Sequence, residues 1–447
     1  MCVLTADFDI TVIGSGPTAT AILLALPSQI RVCVITGEFQ NNSTPKRVHP
    51  KIRSAAAQEG LIPELADGFI TSRNVALYSS AAPGGLANYW GQQFVRYSQA
   101  DPWRGNSIAS YQEYLDICQI LEKKVPLVGG RILGNTNGDD RYEVIQPRLV
   151  SNGAGRMGGD GRIMRSAFER AVGEVGASVS RGRAQWTERS GNKWTVHLDN
   201  GDSITSSKVI IAAGPIGSAR FISNSFKDIS GFHFDDHTPE MLYVLKAANF
   251  FGNYEFGSFG QFNELTIERS IEHRTTLFAS VYNLRQADFN LLLATVISTV
   301  STKLRGLGMP PGVGIVRPIQ VWTPSTLGST FVPLGDETTP PILASRGNDM
   351  ELDRFLQALS AVGAVVLMRS ETKPGLGFHY HNVRFDCDEG QSLNVTDFLN
   401  KRTDGTIVCL DAAGWDKIGT RPPTLTIMAG AFASTQRLIQ QSHHLRD

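Results

Sequence analysis

Phe8-Asp9-Ile10-Thr11-Val12-Ile13-Gly14-Ser15-Gly16-Pro17-Thr18-Ala19 is the stretch that decides the fold. Residues 8–13 are short, apolar and rich in β-branched side chains, as a buried strand requires. Two glycines follow, then Ala21-Ile22-Leu23-Leu24-Ala25-Leu26, a helical pattern that stops at Pro27. Residues 30–35 supply a second apolar strand. Strand, glycine turn, helix and strand within about 30 residues make a βαβ signature. Gly14 permits the tight turn, Gly16 lets a backbone approach a pyrophosphate, and Ala19 allows the helix to pack closely on the strand. Pro17 and Thr18 open the helix, whose first N–H groups face the phosphates. The same turn occurs in α/β domains that bind no nucleotide, but the flanking strand and helix favour the dinucleotide reading. An acidic residue about 20 positions on normally holds the ribose. Here the second strand closes on Thr36, followed by Gly37 and Glu38. Either Thr36 makes a weaker hydrogen bond there or Glu38 reaches back.

The chain has 447 residues, enough for a large core and two domains. Lys plus Arg and Asp plus Glu number 42 each, so no global field draws in nucleic acid or an anionic membrane. Cys2, Cys33, Cys118, Cys387 and Cys409 are scattered and form no CxxC or Cys/His cluster. Neither a disulfide framework nor a metal site is expected, and a reducing cytoplasm fits best. The first strand starts with no basic segment before it, which leaves no room for a signal peptide. The apolar stretch at 291–300 is too short to span a bilayer.

Residues 40–110 read as loop-rich, with a tight turn at Pro83-Gly84-Gly85. A helix is expected over 167–175, a hairpin around Trp186 and Trp194, a turn at Asn200-Gly201, and a buried strand over 209–213 ending at Gly214. From about 235 the character changes to long strands, 276–284 and 315–322, with one helical segment near 286–305. A last helix is expected over 425–439.

Several further segments, in order and spread along the chain, resemble the glucose–methanol–choline (GMC) family of FAD-dependent oxidoreductases. The opening at 8–17 looks like that family's first strand and turn. Gly84-Gly85-Leu86-Ala87-Asn88-Tyr89-Trp90-Gly91 is similar to its flavin-contact loop, and residues 208–220, Ala212-Ala213-Gly214-Pro215 among them, resemble its strand returning to the FAD domain. Asp235-Asp236-His237 looks like the start of its substrate domain, and Pro423-Thr424-Leu425-Thr426 like its closing flavin-contact helix. The resemblance implies an α/β fold, with a Rossmann-type FAD-binding domain over 1–234 and 375–447 and an inserted sheet-based substrate domain over 235–374. It implies non-covalent FAD held by the Gly14–Ala19 turn with Gly84, Gly85, Asn88, Trp90, Gly214, Asp411, Thr424 and Leu425. Asp411 reads equally as a helix N-cap on residues 412–414.

In the family a catalytic His is followed by two residues and Gly-Thr. Here the segment is Gly377-Phe378-His379-Tyr380-His381-Asn382-Val383, which places His379 at that position. A His titrating near neutrality accepts an alcohol proton while hydride leaves to the flavin. The family's second catalytic group falls on Pro422, whose side chain neither donates nor accepts. His381 is the nearest replacement, and on a strand residues two apart share a face. The resemblance implies oxidation of a hydroxyl on a small polar metabolite, such as a sugar or specialised metabolite, with oxygen or a quinone as acceptor. The alternatives are a flavin-dependent lyase or isomerase, and a non-catalytic relative with a decayed site.

Overall fold

The computed structural model describes residues 7–37, 64–65, 78–89, 93–105, 107–137, 139–150, 161–237, 239–247, 250–251, 263–282, 316–324, 327–334, 342–343, 349–371, 379–387 and 390–443. The opening strand, Asp7–Ile13, lies between Val32–Thr36 and Ser203–Ile211 and is parallel to both. Ser178–Arg181 extends the parallel run beyond Val32–Thr36, and Ile407–Cys409 pairs in parallel with the end of Ser203–Ile211. Val12, Val34, Val209 and Ile211 have no exposed surface. Buried on both faces, such strands need continuous apolar runs, which is what the sequence shows.

The helix between the first two strands, Pro17–Ala25, is apolar nearly all round and buries Ala19 to Leu23. It packs against two further helices, Gly161–Val175 and Thr424–His443. Ala184–Ser190 and Lys193–Leu198 form the expected hairpin, which joins the first half of Ser203–Ile211 in antiparallel pairing. The connecting turn falls at Asn200-Gly201, with Gly201 at φ +86°.

A second sheet runs Val365–Glu371, Glu240–Leu245, Val316–Trp322, Arg274–Tyr282, Asn263–Ile271, Asp139–Ile145, Ile132–Thr136. One face is apolar: Leu242, Ile267, Leu277, Ala279, Ile319 and Val321 pack on Leu352, Phe355 and Leu359 of the helix Met350–Ala361. Strand alternation puts Glu268, Phe278, Ser280, Tyr282, Gln320 and Trp322 on the other face. The hairpin 132–145 lies before residue 235 in sequence yet hydrogen-bonds to Asn263–Ile271. The helix expected near 286–305 falls outside the described residues. A third, antiparallel sheet has the order Ile342–Leu343, Leu327–Pro333, Ile229–His237, Tyr380–Cys387, Ser392–Asn394. Its Phe232, Phe234, Val383 and Phe385 share one core with Ile13, Ile35 and Ile211 of the parallel sheet. No helix among the described residues is long and apolar enough to cross a membrane.

Candidate functional site

Gly14 and Gly16 are glycine for different reasons. Gly14 sits at φ +116°, and a Cβ there would lie 2.2 Å from the Ala212 carbonyl oxygen. Its N–H donates to Ile35 O at 2.9 Å, so it closes the ends of three parallel strands. Gly16 has ordinary extended backbone, φ −77° and ψ −172°. The nearest atom to a Cβ on Gly16 would be Gly84 O, at 3.8 Å. The fold therefore demands glycine at 14 but not at 16, where the missing side chain leaves room for something else.

The Gly84-Gly85 loop folds onto this turn. Gly84 N–H donates to Ser15 O at 3.1 Å, and Gly84 and Gly85 adopt φ +94° and +58°. Gly16 is the N-cap of Pro17–Ala25 without any side-chain cap, and Pro occupies the first turn. Gly16, Pro17 and Thr18 keep exposed surface while Ala19 is fully buried. Gly214, at φ +74°, likewise starts the helix Pro215–Ser225 with no side-chain cap. A pyrophosphate fits here, since uncapped N–H groups and close backbone approach are what it requires.

Other expected contacts are placed differently. Thr36 is 2% exposed, and its hydroxyl donates to Ser15 Oγ at 2.8 Å, tying the strand end to the glycine turn. Asp411 caps the short helical turn Ala412–Gly414. Its Oδ1 accepts from Ala413 N at 2.9 Å and its Oδ2 from Ser218 Oγ at 2.5 Å. Burial pushes this carboxyl up from its ordinary range. The capping reading is the one its bonds express. Leu425 is buried in the core and Thr424 is partly exposed at the start of the last helix. Asn88 lies in the turn Gly85–Tyr89, while its side chain, Glu38 and Trp90 fall outside what is described.

The histidines gather at one end of the third sheet. Asp236 pairs with Tyr380 and Asp235 with His381, beside a register shift. Asn382 takes φ +51° at that shift and donates to Asp235 Oδ2 at 2.6 Å. His379 therefore stands just before the strand. Its backbone N–H donates to Asp236 Oδ1 at 3.1 Å. Its ring stacks on Trp322, with centroids 5.6 Å apart and planes at 14°. The His237 ring is 6.2 Å away. His379 Nδ1 is buried and has no hydrogen-bond partner among the described residues.

His381 is 1% exposed and turns back on the chain, its Nδ1–H donating to the His379 carbonyl at 3.0 Å. Its ring thus braces the backbone of its neighbour. Burial, with His237 and His381 adding to it, pushes the His379 imidazole down to about 3. The family position implies a group titrating near neutrality; burial beside two other histidines instead lowers this ring and favours its neutral form.

A clamp around Pro422 has no signature in the sequence. Arg421 Nε and NH2 donate to Glu268 Oε2 at 3.1 and 2.5 Å, and its NH1 to Arg96 O at 2.8 Å. Asp101 Oδ2 is 3.9 Å from the same guanidinium. Tyr97 OH donates to Arg421 O at 3.2 Å and accepts from Gly419 N at 2.9 Å. Thr420 Oγ1 reaches Thr275 O at 3.0 Å. Gln93, just past the second glycine loop, donates to Ser280 Oγ at 2.5 Å. The polar face of the second sheet is thus tied both to the glycine-loop segment and to the entry of the last helix.

No protein-family model and no curated protein sequence matches this chain. Among solved structures it is similar to the crystal structure of pyridoxine 4-oxidase from Mesorbium loti. The TM-score is 0.53 at 13% identity, over 97% of this chain and 99% of that one. The likeness is one of fold, a mixed α/β chain with several sheets.

Proposed function

We propose that this protein is an FAD-dependent oxidoreductase that oxidises a hydroxyl group of a small polar molecule. The observation that carries the reading is the meeting of two glycine segments, 67 residues apart, over an uncapped helix start where Gly16 alone is not required by the fold. The fold likeness to an oxidase supports it. Gly14–Ala19, Gly84, Gly85 and Gly214 would hold the pyrophosphate of FAD, and Thr424, at the start of the last helix, would contact its flavin part. Thr36 and Asp411 act indirectly, by fixing the glycine turn and the turn at Ala412–Gly414. Residues 1–234 and 375–447 would hold the cofactor and 235–374 the substrate, with the hairpin 132–145 joining the sheet of the latter, and strands 327–333 and 342–343 joining the third sheet, which shares a core with the parallel one.

When bound, FAD supplies the hydride acceptor. The chain supplies the rest. His379 takes the hydroxyl proton at its unprotonated ring nitrogen. Asp236 and His381 hold its backbone on either side. Pro422 offers no second proton acceptor, while His381 braces the His379 carbonyl through its Nδ1–H and keeps Nε2 as an acceptor beside it.

The purified protein is expected to be yellow and to release stoichiometric FAD on acid precipitation. Anaerobic addition of neutral alcohols, pyridoxine among them, should bleach the oxidised flavin band, and oxygen or a quinone should restore it. A colourless protein that takes up no added FAD overturns the reading. A flavin that turns over substrate without bleaching points instead to a lyase or isomerase, the reading that Pro422 favours.

A further inference from the structure

We propose that Trp322 is a positioning residue for this reaction, its indole fixing the plane of the His379 imidazole and keeping water from one face of it. The inference rests on His379 being the base. Trp322 ends the strand Val316–Trp322 and is 5% exposed. The stack therefore crosses from the second sheet to the third, joining elements that share no backbone pairing.

Both halves of the stack are anchored by one dipeptide. Asp236 receives the backbone N–H of His379, and His237 Nε2 lies 3.0 Å from the carbonyl of Thr323, the residue after Trp322. Asp236 and His237 are 0% and 1% exposed, so neither anchor is diluted by water. An aliphatic side chain of similar volume would fill the space, but only a flat ring holds another flat ring parallel. Water admitted to the imidazole face would stabilise its charged form. The groups facing His379 among the described residues are His237 and His381, which oppose a proton on it, and Asp236, engaged with its backbone. Asp235 and Arg384 stand behind His381.

The test uses the FAD-loaded protein with ¹³C-labelled histidine, Trp322→Phe and Trp322→Leu, and His379→Gln to identify the signal. In the wild type and in Trp322→Phe, His379 should stay neutral from pH 5 to 9. In Trp322→Leu it should begin to titrate within that range. Flavin reduction should slow about tenfold in Trp322→Leu, with an acid limb the wild type lacks and little change in the substrate dissociation constant. If Trp322→Leu fails to fold, Trp322→Met takes its place. Unchanged titration and rate in the aliphatic variant overturn the proposal, as does Trp322→Phe behaving like Trp322→Leu. If no alcohol reduces the flavin, the functional reading fails, while the titration still decides whether Trp322 shields His379.

Discussion

The glycine turn and the histidine end of the third sheet are both dense with chemistry, yet they are assembled in opposite ways. The turn is one continuous stretch in which strand, turn and helix start follow directly, and a second glycine segment is laid on top. The histidine end brings together 235–237, 322–323 and 379–384, with long intervals of sequence between them. A contiguous site is set by backbone conformation, so its weak points are single residues. A composite site is set by packing and buried charge, so its weak points are pairs.

The largest effect should come from the turn. Gly14→Ala forces a Cβ to 2.2 Å from a carbonyl oxygen at φ +116° and should destabilise the fold by about 3 kcal/mol or more. Gly16→Ala should leave the melting temperature of the FAD-free protein nearly unchanged and weaken FAD binding. Thermal melts paired with FAD titration separate the two. Equal losses of stability would erase the distinction between a glycine the fold needs and one a ligand needs.

Next comes the ion pair that ties the second sheet to the last helix. Arg421→Met leaves Glu268 and Asp101 buried without their cation, at a cost of roughly 3–5 kcal/mol. Burial already pushes the Glu268 carboxyl up, and Arg421 opposes that shift. A carboxyl raised on folding contributes stability at acid pH that is lost as pH rises through its folded value. Removing Arg421 raises it further, so the deficit should grow from pH 5 to pH 8 in urea unfolding. Adding Glu268→Gln should recover much of it. A deficit independent of pH would mean that the guanidinium acts through packing alone.

The smaller effects on the fold belong to the histidines. His379→Ala should slow flavin reduction by 10²–10⁴-fold, about 3–5 kcal/mol, with FAD content unchanged. His381→Ala should cost less if its ring serves to brace the His379 carbonyl. His379 is depressed on folding from 6.5 to about 3. Its contribution to stability is therefore full above 6.5 and lost as pH falls toward 3. His379→Gln should flatten that acid loss. The wild-type reduction rate should show no His379 limb between pH 5 and 9; a limb near neutrality would place the base elsewhere.

The sequence carried the opening βαβ unit, the hairpin around Trp186 and Trp194 and the turn at Asn200-Gly201 that follows it, because local periodicity and turn chemistry encode them; the second glycine loop was tied to the first only through the family resemblance. His379 and His381 were legible as a pair but not as a geometry. Alternation along a strand predicts one shared face, and the left-handed Asn382 with its bond to Asp235 breaks that alternation. Thr36 and Asp411 were legible as polar groups at strand ends, but their partners, Ser15 and Ser218, are set by the tertiary fold. Trp322 and the Arg421–Glu268 pair left no local mark, since nothing in a strand-ending tryptophan or a lone arginine names a partner 153 residues away. The depressed His379 likewise follows from burial among neighbours that one-dimensional spacing does not measure.

The ties between Arg421 and Glu268, Thr420 and Thr275, and Gln93 and Ser280 also restrict motion. They fasten the second sheet to two separate segments, so it cannot swing away as a hinged cover without pulling a paired charge out of the interior.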